Sequence, residues 1–101
     1  MDVTLLYFDD CPNWVEASDH LDLLASEFAG IEITRHVVDT PVEAERTRFH
    51  GSPSILIDGE DPFAAPGAPV GLSCRIYQTS EGPAGSPTLG QLRDAIQSRQ
   101  Q

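Results

Sequence analysis

The change of hydrophobic period just after Phe8 is what most restricts the fold of this chain. Val3 to Phe8 reads VTLLYF, a nearly continuous apolar run that suits a strand covered on both faces. Beyond it the apolar residues return at spacings of three and four. Trp14, Ala17, Leu21, Leu24 and Phe28 therefore share one face of a helix. Pro12 fits the first turn of that helix, where its missing N–H leaves nothing unpaired, and Gly30 ends it.

The alternation of periods then repeats. Ile31 to Val38 (IEITRHVV) reads as a second strand, and Thr40, Pro41 and Glu43 form the start of a second helix. There the threonine side chain caps the backbone, the proline is preset for the first position, and the glutamate completes a capping box. Gly51 breaks this helix. Ile55 to Ile57 makes a third strand, closed by the turn-forming Asp58-Gly59 pair. A loop rich in proline and glycine runs from Gly59 to Gly71, and LSCRIYQT (Leu72 to Thr79) is predicted as a fourth strand. SEGPAGSP reads as a second loop. A last helix opens on a Thr88/Gln91 capping box and carries Leu89, Leu92 and Ile96 on one face, with the tail QSRQQ expected to fray. The order is β-α-β-α-β-β-α without internal repeats, which predicts one α/β domain over residues 1–101.

Composition narrows the function. With 101 residues and an apolar fraction of 40%, the chain can bury one small core. Sixteen acids against six Lys and Arg give a net charge of −10, which repels phosphate backbones and anionic lipid surfaces. Neither nucleic acid nor membrane is therefore expected as a partner. The acidity itself serves solubility. The opening MDVTLLYF is too short and too acidic for a secretion signal, and the apolar runs are far below a membrane span. The expected compartment is the cytoplasm, where two cysteines are free, catalytic or metal-binding rather than a structural staple.

Between the first strand and the first helix the sequence reads DDCPNWVEAS. Cys11 stands where a Cys-x-x-Cys redox site would begin, but the fourth position holds Trp14. Further along, GSPSILIDG places Ser52-Pro53 directly before the third strand. With these two motifs at these places in the element order, the chain resembles the thioredoxin and glutaredoxin superfamily over almost its whole length. It looks most like the small bacterial members, here with a single-cysteine Cys-Pro-Asn-Trp site. The resemblance implies a minimal thioredoxin-like fold: a four-stranded mixed sheet in the order 2-1-3-4, flanked by helices, with the third strand antiparallel to the first. It also implies a cis Ser52–Pro53 peptide facing Cys11.

The same resemblance makes Cys11 the catalytic residue and gives Pro12, Asn13, Trp14, Ser52 and Pro53 substrate-binding roles. A thiol at a helix N-terminus faces orphan N–H groups and the positive end of the helix dipole, which favour thiolate, while Asp9 and Asp10 oppose it. With no second sulfur across its own helix turn, Cys11 is expected to act as a monothiol, discharged by glutathione or a partner protein's thiol. The plainer readings are a buried, inert Cys11 and a Trp14 that merely opens the helix stripe. If the fourth strand returns along the third as a hairpin, Cys74 falls opposite Leu56, farther from Cys11 than a disulfide spans. A packed strand cysteine is then its expected role. Arg48 and His50 stand before the Ser-Pro step and are candidates for steadying a thiolate. His20 and His36 have no metal-ligand spacing to the cysteines, so neither a metal site nor a cofactor is expected.

The leading expectation is monothiol thiol–disulfide exchange through a mixed disulfide. Two others stand beside it. One is a non-catalytic binding module that has kept the fold. The other is soft-metal or organomercurial capture by a protein related to alkylmercury lyase, which is built on a thioredoxin-like core and uses two cysteines and an aspartate. Asp10 adjoins Cys11 here, although the local motifs do not match position by position.

Overall fold

A computed structural model of the chain describes residues 1–64 and 67–100. Two residues of the expected 59–71 loop, Ala65 and Pro66, and Gln101 of the tail lie outside the described residues. The elements follow in the order β1 (Asp2–Tyr7), α1 (Trp14–Glu27), β2 (Glu32–Val37), α2 (Pro41–Thr47), β3 (Ser54–Ile57), β4 (Tyr77–Thr79), β5 (Gly82–Ala84) and α3 (Leu89–Gln100).

The chain is α/β, with β1 central between β2, which runs parallel to it, and β3, which runs antiparallel. Period-two alternation along β1 explains why helices lie on both faces. Val3 and Leu5 pair with Ile57 and Ile55, and these four join Ala17, Leu21, Leu24, Leu92 and Ile96 in the larger core under α1 and α3. Leu6 points the other way, into a second cluster with Val38, Ala44 and Phe49.

Local signals act where they were expected to. The Thr40 hydroxyl accepts the Glu43 N–H at 3.1 Å, with Pro41 as the first helical residue. Thr88 and Gln91 exchange reciprocal bonds, the Gln91 N–H to the threonine hydroxyl at 3.1 Å and the Thr88 N–H to the glutamine side chain at 2.9 Å. The tail departs from expectation. Helix α3 continues to Gln100, and Arg99 donates to the Ile57 carbonyl at 3.3 Å. Pro12 also moves: α1 begins at Trp14, so the proline lies in the preceding turn, whose Pro12 carbonyl accepts the Val15 N–H at 3.2 Å.

The expected four-stranded sheet in the order 2-1-3-4 is not formed. The sheet has three strands, and β4 pairs instead with β5 in a separate two-stranded hairpin. Of the predicted strand Leu72 to Thr79, Tyr77–Thr79 alone is strand, and its partner Gly82–Ala84 lies in what reads as a loop. A strand made of Gly-Pro-Ala has no apolar alternation by which to be recognised, and Pro83 is tolerated because the strand is an edge. Among the described residues, no helix is long and apolar enough to cross a membrane.

Candidate functional site

The end of β1 delivers the chain into a tight turn, in which the Cys11 N–H bonds to the Phe8 carbonyl at 3.2 Å. This turn puts the Cys11 side chain inward, where it is fully buried. Asn13 follows at the cap position of α1, with no side-chain bond to the helix backbone. Its amide is free to turn back, and Nδ2 donates to Cys11 Sγ at 3.8 Å. Trp14 stacks on Tyr7 with ring centroids 4.2 Å apart and packs against the larger core. That is the helix-stripe role. Pro12 is exposed.

On the facing side, Gly51, Ser52, Pro53 and Ser54 are all buried. The Ser52–Pro53 peptide is cis. Ser52 O lies 3.7 Å from Cys11 Sγ, and the Ser52 hydroxyl accepts the Phe8 N–H at 3.3 Å. Cys11, Asn13, Ser52 and Pro53 are thus brought together, although the motifs that contain them are far apart in the chain.

A third segment completes the site. Cys74 forms a disulfide with Cys11, with their Cα atoms 6.0 Å apart, so the exclusion of this pair on distance is corrected. The reason is direction. The loop after β3 carries the chain back to the Cys11 end before it pairs, and Cys74 then makes a parallel bridge with Ser52 instead of lying antiparallel beside Leu56. The Ser52 N–H donates to the Ser73 carbonyl at 2.7 Å, and the Arg75 N–H to the Ser52 carbonyl at 3.0 Å. The main-chain edge of Ser52, expected to receive a substrate, is therefore occupied by the protein's own residues. Gly51 permits the close approach: a Cβ there would stand 3.0 Å from the Ser73 carbonyl oxygen and 3.1 Å from Arg75 Cβ, and its φ of 109° disfavours any other residue.

Side chains fasten the same segment. Arg75, 10% exposed, bonds Asp61, 6% exposed, at 2.6 Å and also donates to the Ser54 hydroxyl at 3.2 Å. Its guanidinium lies 4.6 Å from the centre of the Tyr77 ring, whose hydroxyl donates to the Pro53 carbonyl at 2.5 Å. Burial pushes the Tyr77 phenol well above its ordinary value, so it remains a donor. His50, a candidate for steadying a thiolate, bonds the Pro69 carbonyl at 3.0 Å and tethers the loop instead. Arg48 is exposed in the left-handed cap of α2, and His36 pairs with Glu43.

The two cysteines differ in exposure: Cys11 is fully buried, whereas Cys74 is an exposed residue. A groove of about 320 Å³ is lined by Phe8, Asp9, Asp10, Val37, Asp39 and Leu72. Among the described residues no group of three or more His, Cys, Asp or Glu converges to hold a metal ion. While the disulfide is closed, neither sulfur is a thiolate ligand. Sequence reasoning set Cys74 aside and missed Arg75 and Asp61. Their contacts join segments far apart in the chain, so no local spacing announces them. No protein-family model matches this chain, and no curated protein is matched as its relative.

Proposed function

We propose that the chain is a thioredoxin-like thiol–disulfide exchange protein whose redox unit is the Cys11–Cys74 pair, in place of a lone Cys11. One observation carries this reading: the bond joins a buried cysteine to an exposed one across two segments that noncovalent contacts also hold together. An incoming thiolate attacks along the S–S axis from the open side, so it meets Cys74 Sγ. The new bond forms between that thiolate and Cys74, and Cys11 leaves with the electron pair of the broken bond. The Asn13 amide at Sγ and the uncapped start of α1 favour the departing thiolate. A second thiolate then attacks the incoming sulfur of the mixed disulfide and releases Cys74. In sum two thiols become one disulfide, and their two protons and two electrons pass to Cys11 and Cys74.

Because the backbone bonds of Ser52 and the Arg75–Asp61 pair do not depend on the sulfurs, the reduced cysteines stay adjacent and the bond can close again. The second reading is a staple. The cysteines are separated by 63 positions, and closing a loop of that size stabilises the fold by about 4 kcal/mol in the chain-entropy account.

Incubation with oxidised glutathione, followed by mass spectrometry of each single-cysteine variant, separates the readings. Cys11→Ser is expected to accumulate a stable glutathione adduct on Cys74. Cys74→Ser is expected to gain an adduct on Cys11 at least tenfold more slowly, in line with the burial of that sulfur. Equal rates, or adducts on Cys11 alone, overturn the proposed order of attack. A wild-type bond whose reduction potential lies below about −300 mV establishes the staple.

A further inference from the structure

At Cys74 the main chain has a second edge that none of the described residues uses. Ser73 directs its carbonyl, and Arg75 its N–H, to Ser52. Cys74 itself is the bridge residue opposite Ser52, so in a parallel bridge of this kind its own N–H and carbonyl face away from Ser52. Among the described residues neither has a hydrogen-bond partner. Around the bridge Arg75 turns inward to Asp61, while Leu72 is 40% exposed, Ile76 is 64% exposed and Cys74 is an exposed residue between them. Two exposed apolar side chains thus flank Cys74, whose outer main-chain groups are unpaired among the described residues. Such edges are normally charged or covered. Leu72 also walls the groove that holds Asp9, Asp10 and Asp39, and among the described residues none of these carboxylates is in an ion pair.

We infer that this edge docks an extended, cysteine-bearing segment of a partner protein, with apolar residues two positions to either side of the cysteine and a basic residue that reaches the acidic groove. The inference rests on the exchange reading above and names its substrate. An added strand supplies main-chain bonds, and alternate side chains give specificity. With the partner cysteine opposite Cys74, paired residues place their Cβ atoms about 4.5–5.5 Å apart, which brings the two sulfurs into reach. Residues two positions away then lie against Leu72 and Ile76. The uncompensated carboxylates favour a cation beside Leu72. The Ser52 edge offers no such place, because Ser73 and Arg75 fill it.

The test is the rate at which reduced synthetic peptides open the Cys11–Cys74 bond. Four thiols are compared: the peptide acetyl-Lys-Val-Thr-Cys-Thr-Val-Lys-amide, its form N-methylated at both threonines and at the cysteine, its form with Glu for both Lys, and N-acetylcysteine amide. Each rate is divided by that of the same thiol with a small linear disulfide, which removes differences in intrinsic reactivity. The first peptide is expected to react at least tenfold faster than the other three. The Leu72→Ser/Ile76→Ser double variant is expected to lose that preference, whereas Val42→Ser, which alters a side chain 78% exposed on α2, keeps it. Four normalised rates within twofold of one another, with the bond opening normally, overturn this inference and leave the exchange reading standing. Failure of every thiol, dithiothreitol included, to open the bond removes both.

Discussion

The three-stranded sheet with its helices and the stretch from Gly59 to Pro87 are held by different forces. In the first, Leu5, Ile55, Leu24 and Leu92 are sealed at 0% exposure, and the element order alone brings them together. In the second, Tyr77 is the buried large side chain among the described residues, and the backbone is fastened at points: a disulfide, the Arg75–Asp61 pair, the Ser52 bridge and the His50 bond to Pro69. A packed core is cooperative, so losing one member is felt throughout. Point fasteners each restrain their own neighbourhood. A surface that exchanges bonds with partners is suited to the second kind of construction, because a fastener can open without unfolding the rest.

The contrast is broken most severely by Leu5→Ala. Its side chain is fully enclosed, so its truncation is expected to cost about 3 to 5 kcal/mol in urea unfolding, in one global transition. An intermediate smaller effect is expected of Asp61→Asn, which keeps an acceptor for the Phe63 N–H but removes the charge that faces Arg75. A charged hydrogen bond contributes about 1.5 to 3 kcal/mol. Hydrogen exchange should therefore accelerate roughly 10- to 100-fold at the Arg75 and Gly71 amides, which bond to Ser52 and Phe49, and not at Leu5. Equal acceleration at Leu5 would show that the two regions open together.

The smallest effect is at the rim of the sheet, where Glu43 joins α2 to His36 of β2. Hydrogen bonds from Arg46 first, and then from His36, lower the Glu43 carboxyl from 4.5 to about 2. A depressed carboxyl adds stability that is complete above 4.5 and disappears as the pH falls towards 2. The wild type should accordingly lose more Tm than Glu43→Gln between pH 5 and pH 2. The difference is modest, since Arg46 is 64% exposed and the pairing is screened by solvent. Parallel melting curves for the two proteins check it.

Much of the first region was legible in the sequence because its determinants are local. Thr40 with Glu43, and Thr88 with Gln91, need nothing beyond their own helix turn to start it, and the three- and four-residue spacing of Trp14 to Phe28 fixes a face. The second region resists such reading. Whether Tyr77–Thr79 pairs with β3 or with Gly82–Ala84 is decided by contacts distant in the chain and by a strand that has no hydrophobic pattern. The site divides in the same way. Cys11 and Ser52-Pro53 could be singled out from motifs, whereas Cys74 depended on which way a long loop returns. A hairpin assumption reversed that direction and placed the sulfur beside the wrong residue.

The Cys11–Cys74 bond also makes a ring of the chain between these residues, with α1, β2, α2 and β3 inside it and β1, the hairpin and α3 outside. A protease that cuts once within the ring yields two fragments still joined by sulfur. They migrate as one band on a denaturing gel and separate only after a reducing agent is added. The strand at the centre of the sheet and the closing helix would then belong to different fragments, each carrying one cysteine.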